Sequence, residues 1–471
     1  MEKNKIKKNE EYIVDIIDNG FEGEGIAKID GFTVFVANAI KGEKVKIVII
    51  KVLASHAFAK ILEIINKSDE RVESDCITYK RCGGCSLRHV KYDTTLKMKK
   101  NVVQNLVNKT LDNKVKVDDV LGMDNPFYYR NKVQFPVGIS KDGKPQIGVF
   151  ANRTHEIIPV KNCLIQDKKA QEIAKRLFEY WIENNNSVYD EISMQGCLRH
   201  IVVKMGKKTN EYMCIIVVNS NNIACQLEKD LIQFLTQTFP EIKTIIINFN
   251  KKNTNVILGD KNKIIYGNGF ITDILGGYTF KISPYSFYQV NPIQTEKLYE
   301  IAVKGANISK DDIVFDLYCG IGTISLFMAK YAKKVYGVEI VDEAIKMARE
   351  NAIINSTKNV EFLVGDTREV LDDLIEVRNI IPDVVMFDPP RKGLDKHSIN
   401  CILRIQPKRV VYISCNPATL VRDLHFLEDS YDIKSIKPVD MFPFTSHVEC
   451  CALLELKNCR LLLNLLAFKI Q

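Results

Sequence analysis

Ile313-Val314-Phe315-Asp316-Leu317-Tyr318-Cys319-Gly320-Ile321-Gly322-Thr323 reads as an apolar strand that runs into a glycine turn and then into a helix. Glycines at such a turn let the backbone approach a ligand closely at the carboxyl end of the strand. A Gly-x-Gly pair alone is weak. The full dinucleotide fingerprint asks for a third glycine three places on, and Ser325 stands there, which weakens a nicotinamide reading. The flanking chain decides more. Residues 334–338 form the next strand and end in Glu339, an acidic residue about twenty positions beyond the turn and suited to hydrogen bonding with ribose hydroxyls. Residues 360–364 end in Gly365-Asp366, and residues 384–387 end in Asp388-Pro389-Pro390-Arg391. From Asp311 onward, short apolar strands alternate with helices, the pattern of a doubly wound parallel sheet. Each acidic residue alone is an ordinary helix cap. Three of them closing successive strands on one edge, beside a glycine turn, describe a site.

The same edge receives a thiol and a carboxylate. Residues 410–413 are the next strand and deliver Ser414-Cys415-Asn416-Pro417. A free thiol ionises near pH 8.5, so Cys415 needs local help to become a nucleophile. Near the carboxyl end lies Phe442-Pro443-Phe444-Thr445-Ser446-His447-Val448-Glu449-Cys450, whose carboxylate is chemically able to take a proton from a substrate carbon.

The chain has thirteen cysteines, and Cys76-x5-Cys82-x2-Cys85 crowds three of them into a loop-like stretch with Gly83 and Gly84. Soft thiolates converging on one point suit a metal or an iron–sulfur site. Zinc would be satisfied by three cysteines plus His89 or a fourth cysteine. The Cys-x3-Cys-x2-Cys spacing of radical enzymes is absent. Spacing alone leaves Cys163, Cys197 and Cys214 open as the fourth ligand.

The first 65 or so residues read as a small β-barrel, with strands at 12–17, 25–29, 32–36 and 44–52 punctuated by Gly20, Gly23, Gly25, Gly31 and Gly42. A helix with a basic face is expected over 92–108, and a mixed, β-rich region over 127–280, with strands at 132–137, 147–150, 201–204, 212–218 and 244–248. The 471 residues, 46% hydrophobic and 26% charged, provide for several cores rather than disorder. Lysine and arginine exceed acidic residues by 66 to 58, a net +8 that permits a polyanionic partner without proving one. No stretch approaches the roughly 18 apolar residues of a membrane span, and residues 1–12 have no secretory core, so a cytoplasmic location is expected and no membrane partner.

Several of these motifs carry resemblances. Gly20-Phe21-Glu22-Gly23-Glu24-Gly25 followed by Phe32-Thr33-Val34-Phe35-Val36 and Gly42-Glu43 resembles a TRAM domain, an RNA-binding barrel related to the OB fold. The glycine turn with its acidic strand ends resembles the class I S-adenosylmethionine methyltransferases. Ser286-Phe287-Tyr288-Gln289-Val290-Asn291, the glycine turn, Asp388-Pro389-Pro390-Arg391, Ser414-Cys415-Asn416-Pro417 and His447-Val448-Glu449 together resemble the RNA uracil-5-methyltransferase family over nearly the whole chain. That resemblance implies three domains. They are a TRAM barrel over 1–66, a central iron–sulfur domain over 67–91 and 127–280, and a Rossmann-like methyltransferase domain over 92–126 and 281–471.

The resemblance further implies Cys415 as nucleophile and Glu449 as base, with Gln289, Tyr318, Glu339, Asp366 and Asp388 at S-adenosylmethionine. It selects Cys163 to join Cys76, Cys82 and Cys85 around a 4Fe-4S cluster. Its branch with both barrel and cluster acts on ribosomal RNA, at an unstacked uridine, with no obligate protein partner evident; the transfer-RNA branch usually lacks both, and methylation of a transfer-RNA uridine is the alternative. Three rivals remain at this stage: an NAD-dependent oxidoreductase, an adenine methyltransferase using Asp-Pro-Pro without a thiol, and a catalytically silent RNA-binding module. The apolar tail Leu461-Leu462-Leu463-Asn464-Leu465-Leu466-Ala467-Phe468 departs from the family pattern and is expected to be a packing helix or a partner surface.

Overall fold

The computed structural model describes residues 6–112, 115–152 and 154–457, so the apolar tail at 461–468 lies outside the described residues. The chain divides into two compact units. One takes in Met1–Val102, Gly122–Ile271 and Phe442–His447, and the other Val103–Leu121, Thr272–Met441 and the chain from Val448. Among the described residues, no helix is long and apolar enough to cross a membrane.

The first unit opens with β1 (Glu11–Asp15), β2 (Asp18–Asn19), β3 (Gly25–Ile29), β4 (Phe32–Ala37), β5 (Lys44–Val52) and β6 (His56–Asn66). They form one sheet in the order β1-β5-β6-β4-β3-β2, with β4 and β6 parallel and the other pairs antiparallel. Alternate residues point inward: Val45, Ile47 and Ile49 of β5 meet Val34 and Val36 of β4 and the small Ala27, Ala57 and Ala59. Among the described residues, this core is built from the strands and their connecting loops, with no helix in it. The strand expected over 12–17 stops at Asp15, and the eleven-residue β6 went unread because its outer half is mostly exposed and mixed in polarity.

The cysteine-rich stretch that follows is irregular, and its start is tied to the barrel by Arg71, whose guanidinium is paired with the buried Glu43. Next come α1 (Tyr92–Thr110), which passes from one unit to the other after Val102, then β7 (Lys132–Ile139), β8 (Pro145–Phe150), β9 (Ile157–Pro159), α2 (Lys168–Glu183), β10 (Leu198–Met205), β11 (Tyr212–Val218), α3 (Cys225–Thr238), β12 (Ile242–Phe249) and β13 (Lys261–Tyr266). The strands make a seven-stranded sheet in the order β13-β12-β11-β10-β7-β8-β9. Helix α2 begins where the Asp167 side chain accepts from Ala170 N at 2.9 Å, and it buries Ala170, Ile173, Ala174, Leu177 and Trp181 on one stripe against that sheet.

In the second unit β14 (Ile271–Leu275) pairs with β15 (Tyr278–Ile282), and α4 (Pro292–Gly305) follows. The main sheet uses β16 (Ile313–Leu317), β17 (Lys334–Glu339), β18 (Val360–Val364), β19 (Val384–Phe387), β20 (Arg409–Ser414), β21 (Tyr431–Val439) and β22 (Glu449–Leu456). Between them lie α5 (Thr323–Ala329), α6 (Asp342–Ile354), α7 (Thr367–Asp372), α8 (Lys396–Ile405) and α9 (Pro417–Leu427). Strand order is β18-β17-β16-β19-β20-β22-β21; the first five strands run parallel, β22 runs antiparallel to its neighbours β20 and β21, and β21 returns to the common direction. The parallel strands are close to continuous apolar runs because both their faces are buried. Strand order reverses between β16 and β19, and the carboxyl ends of strands at such a switch point are the usual ligand position of these sheets.

One buried carboxylate holds the loop after Asp388 in place. Asp423 of α9, with no exposed surface, accepts from the Tyr412 hydroxyl of β20 at 2.6 Å, from Leu394 N at 2.8 Å and from Arg422 Nε at 2.8 Å. Asp423→Ala would strand a buried hydroxyl and a buried amide. It should cost the second unit about 3 kcal/mol, read as a lowered urea midpoint of its unfolding transition.

Candidate active site

The glycine turn is wound through three left-handed residues, Tyr318 (φ +70°), Gly320 (φ +55°) and Gly322 (φ +80°). Tyr318 N and Cys319 N both donate to Val338 O, at 2.9 and 3.0 Å, which lashes the turn to the neighbouring strand. At Gly322 a Cβ would fall 2.7 Å from Phe362 Cζ, so both conformation and packing demand glycine there. At Gly320 a Cβ would meet nothing within 4 Å. Backbone bordering open space is the cradle a nucleoside-bearing ligand needs.

Glu339 ends β17 with its carboxylate accepting from Gly320 N at 3.2 Å and Val341 N at 3.0 Å. Asp366 caps α7, accepting from Arg368 N at 3.0 Å, and its pairing with the Arg368 side chain holds its carboxyl down to about 2. The ordinary cap and the expected ligand contact therefore fall on the same residue. Tyr318 is half-buried with Ser398 and Thr367 beside its hydroxyl. Gln289 lies half-buried in the irregular stretch before α4; two residues on, Asn291 accepts from Gln294 N at 3.3 Å and donates to Met441 O at 3.0 Å. These residues present acceptors and amides of the kind that hold ribose and an amino-acid moiety, so the set fits S-adenosylmethionine.

The reacting groups come from strand ends. Cys415 follows β20 directly, and Glu449 begins β22. Because β22 is antiparallel to β20, with Ser414 opposite Cys450, the thiol and carboxyl arrive side by side. Asp388 leaves β19 with its amide donating to Leu317 O at 3.4 Å. Glu449 is only 3% exposed, and burial pushes its carboxyl well above the usual range, with the nearby Asp388 adding to the effect. Burial likewise raises Asp388. The Cys415 thiol is pushed up to about 11, first by burial and then by Glu449 and Asp388; Arg391 acts in the opposite sense on both Cys415 and Glu449. Burial thus favours the protonated form of each carboxyl, and Arg391 is the cation that favours the thiolate.

Sequence reading assigned no role to Asp316 or Arg391. Asp316 sits in mid-β16, buried, raised to about 7 mainly by that burial, and accepts a hydrogen bond from Ser325 Oγ. The residue that counted against a nicotinamide fingerprint is therefore the partner of a buried acid. An acidic residue inside an apolar strand, and a basic one directly after Asp-Pro-Pro, were the available signals.

In the first unit, Cys76, Cys82, Cys85 and Cys163 line one cavity of about 270 Å³ together with Arg88, Arg130 and Lys132. Gly84 N donates to Cys82 Sγ at 3.3 Å. The buried Gln171 grips Cys163, accepting from its amide at 2.7 Å and donating to its carbonyl at 2.8 Å. Burial raises the thiols of Cys82, Cys163 and Cys85, the last to about 12, and their mutual repulsion adds to it. Such a group of thiols needs added positive charge to ionise. Arg88 Nη1 and Gln166 Oε1, both on residues lining the cavity, are buried without partners. The donor set fits a thiolate-bound metal group. His89 does not line the cavity: its Nδ1 is bonded to the Tyr79 hydroxyl at 2.5 Å. Cys214 is buried in the sheet core and Cys197 packs against it.

Residues 239–457 match the tRNA (Uracil-5-)-methyltransferase family, and residues 5–62 match the TRAM domain. A Clostridium acetobutylicum protein named an uncharacterized RNA methyltransferase is 48% identical over 96% of this chain and 98% of its own length. One from Oceanobacillus iheyensis with the same description is 45% identical over 97% and 98%. Among solved structures, the Pyrococcus abyssi tRNA (uracil-54, C5)-methyltransferase in complex with S-adenosyl-L-homocysteine aligns with a TM-score of 0.76 at 27% identity, over 94% of this chain and 100% of that one.

The raised Glu449 carboxyl has a consequence for stability. Above about pH 4 the unfolded chain has released this proton while the folded protein keeps it, so stability falls as pH rises toward the raised value. Glu449→Gln has no proton to lose. It should melt at a higher temperature than the wild type near pH 8 and within error of it near pH 4, measured by thermal unfolding across that range.

Proposed function

From its membership of the RNA uracil-5-methyltransferase family, as an S-adenosylmethionine-dependent RNA methyltransferase, we propose that this chain methylates carbon 5 of a uridine through a covalent adduct on Cys415. The observation that carries the reading is the mutual influence of Cys415, Glu449, Asp388 and Arg391 at one sheet edge, beside the cradle at Gly320.

Carbon 5 of uracil is a weak nucleophile. The Cys415 sulfur bonds to carbon 6, the thiol proton passing to water, and the electron pair of the carbon 5–carbon 6 double bond moves into an enolate with its charge shared between carbon 5 and the carbon 4 oxygen. S-adenosylmethionine supplies the electrophilic methyl group on its sulfonium. Glu449 then takes the proton from carbon 5, the freed pair restores the double bond, and the carbon–sulfur bond breaks to return the thiolate. Arg391 stabilises negative charge on sulfur at both ends of this cycle. Gln289, Tyr318, Glu339, Asp366 and Asp388 hold the cofactor, and Cys415 and Glu449 act on the base. The base must leave its stack to enter, so a loop uridine is the substrate.

Cys76, Cys82, Cys85 and Cys163 hold a 4Fe-4S cluster. Support comes from their common cavity, which is roomier than a single ion requires, and from its lining of Arg88, Arg130 and Lys132, cations that offset an anionic cluster. The role is structural, since methyl transfer moves no net electrons through a metal. We read the barrel as residues 1–66, the cluster domain as 67–91 with 127–280, and the methyltransferase domain as 92–126 with 281–471, all in a cytoplasmic enzyme acting on ribosomal RNA. A transfer-RNA substrate is the second reading: the alignment with the Pyrococcus abyssi tRNA enzyme spans 94% of this chain, too much to leave out the barrel, so a barrel does not by itself mark a ribosomal enzyme.

Methylation assays with large-subunit ribosomal RNA and with total transfer RNA separate the two substrates by which one incorporates methyl. Cys415→Ala should abolish incorporation, with cofactor affinity held within a few-fold, and RNA bearing 5-fluorouridine should trap only the wild type. Turnover by the alanine variant would defeat the covalent route. Protein purified without oxygen should be brown, with about four iron and four sulfide per chain, and Cys163→Ala should lose them while keeping cofactor binding. Stoichiometric zinc without iron would instead favour a zinc knuckle.

A further inference from the structure

Arg88 is the most deeply buried cation of the cysteine cavity. It is 4% exposed, whereas Arg130 and Lys132, the other two cations of the lining, are half-buried. A charged side chain is seldom buried this far without partners that hold it. One edge of the guanidinium is held by Asp75: Nε donates to Oδ1 at 2.9 Å, and Nη2 donates to Oδ1 at 2.6 Å and to Oδ2 at 2.8 Å. The flat face is held too, 4.0 Å from the centre of the Phe444 ring and 4.8 Å from that of Phe127. The remaining corner is not. Nη1 is buried and has no hydrogen-bond partner among the described residues. All of these residues lie in the first unit.

A buried donor left unpaired opposes folding, so it calls for an acceptor that the chain itself does not supply. The cysteine cavity has room for one. Cys85, three residues before Arg88, lines the same cavity and packs against the apolar cluster that contains Phe444. An iron–sulfur cluster is an anion rich in sulfur acceptors, and hydrogen bonds and nearby charge set its reduction potential. Screening sorts the charges. The Asp75 side chain is 60% exposed, so water screens its charge, while the buried charge of Arg88 is screened much less.

We infer that Arg88 sets the reduction potential of the cluster: Nη1 donates to a sulfur of the group that the four cysteines hold, and the guanidinium charge favours its reduced state. The inference rests on the reading of Cys76, Cys82, Cys85 and Cys163 as ligands of an iron–sulfur cluster. When dithionite gives that cluster one electron, the added negative charge stays beside Arg88, and no bond or proton has to move. Removing the positive charge therefore makes reduction harder. The same charge opposes loss of an electron, and so guards a structural cluster against oxidation.

The test is a dye-mediated redox titration of the full-length protein purified without oxygen, with the reduced cluster followed by electron paramagnetic resonance. Wild type, Arg88→Gln and Arg88→Lys are compared, each with its iron and sulfide counted. Only molecules that hold the cluster give the signal, so a variant that loads poorly still reports its potential. At the wild-type midpoint, Arg88→Gln should show a reduced-to-oxidised ratio about tenfold lower, a downward shift of about 59 mV for a one-electron couple. Arg88→Lys keeps the charge but loses the fork and the stack, so its midpoint should fall between the other two. A merely structural role would cut the iron content and leave the midpoint of the loaded fraction alone. An unshifted midpoint in Arg88→Gln would overturn the inference; should that variant hold no iron, an unshifted midpoint in Arg88→Lys would do so. Loss of all iron from both variants would overturn it as well, since Arg88 would then serve assembly and not tuning. Wild-type protein without iron would overturn the cluster reading itself.

Discussion

Strand β22 runs against β20, and the chemistry proposed for this chain depends on that reversal. In a wholly parallel sheet every strand would send its carboxyl end, and only that end, to the ligand edge. Here the pairing of Ser414 with Cys450 brings the start of one strand beside the finish of another. A thiol leaving β20 and a carboxyl entering β22 then share one place without a long loop to carry either. Loops are poor holders of reacting groups; strand ends fixed by ladder hydrogen bonds are good ones.

The second constraint is desolvation. Asp316, Asp388 and Glu449 are all raised by burial, and Asp388 acts on both of the others. Burial and the neighbouring charge of Asp388 both favour the protonated forms of these carboxyls. That arrangement opposes stability at neutral pH and suits a general base, whose proton affinity has to compete with a carbon acid. Natural sites often carry such local cost, which the surrounding packing offsets. Asp423, with its three bonds to Tyr412, Leu394 and Arg422, is one place where the second unit does so.

What the sequence disclosed follows the physics of burial. Parallel strands buried on both faces announce themselves as apolar runs, so β16 to β20 and the acidic residues at their ends were legible, and so were the cysteine spacing and the glycine turn. Strands that are half exposed were not: β6 and β13 mix charged and apolar residues and lack a clean alternation. Helix α2 went unplaced within a region read as β-rich, although its apolar stripe is regular. Other features are tertiary and leave no local mark. Neither the exclusion of His89 from the cysteine cavity nor the placing of Arg88 over the adjoining rings of Phe127 and Phe444 could be read from spacing.

The central claim is that the methyl group goes to carbon 5 by way of an enolate that must shed the hydrogen already there. RNA made with tritium at carbon 5 of uridine tests it directly, because that hydrogen leaves only if carbon 5 is the carbon attacked. The account predicts tritium release to water in step with methyl incorporation, one for one, and dependent on S-adenosylmethionine. Methyl incorporation with the tritium retained would place the methyl group on another atom and contradict it.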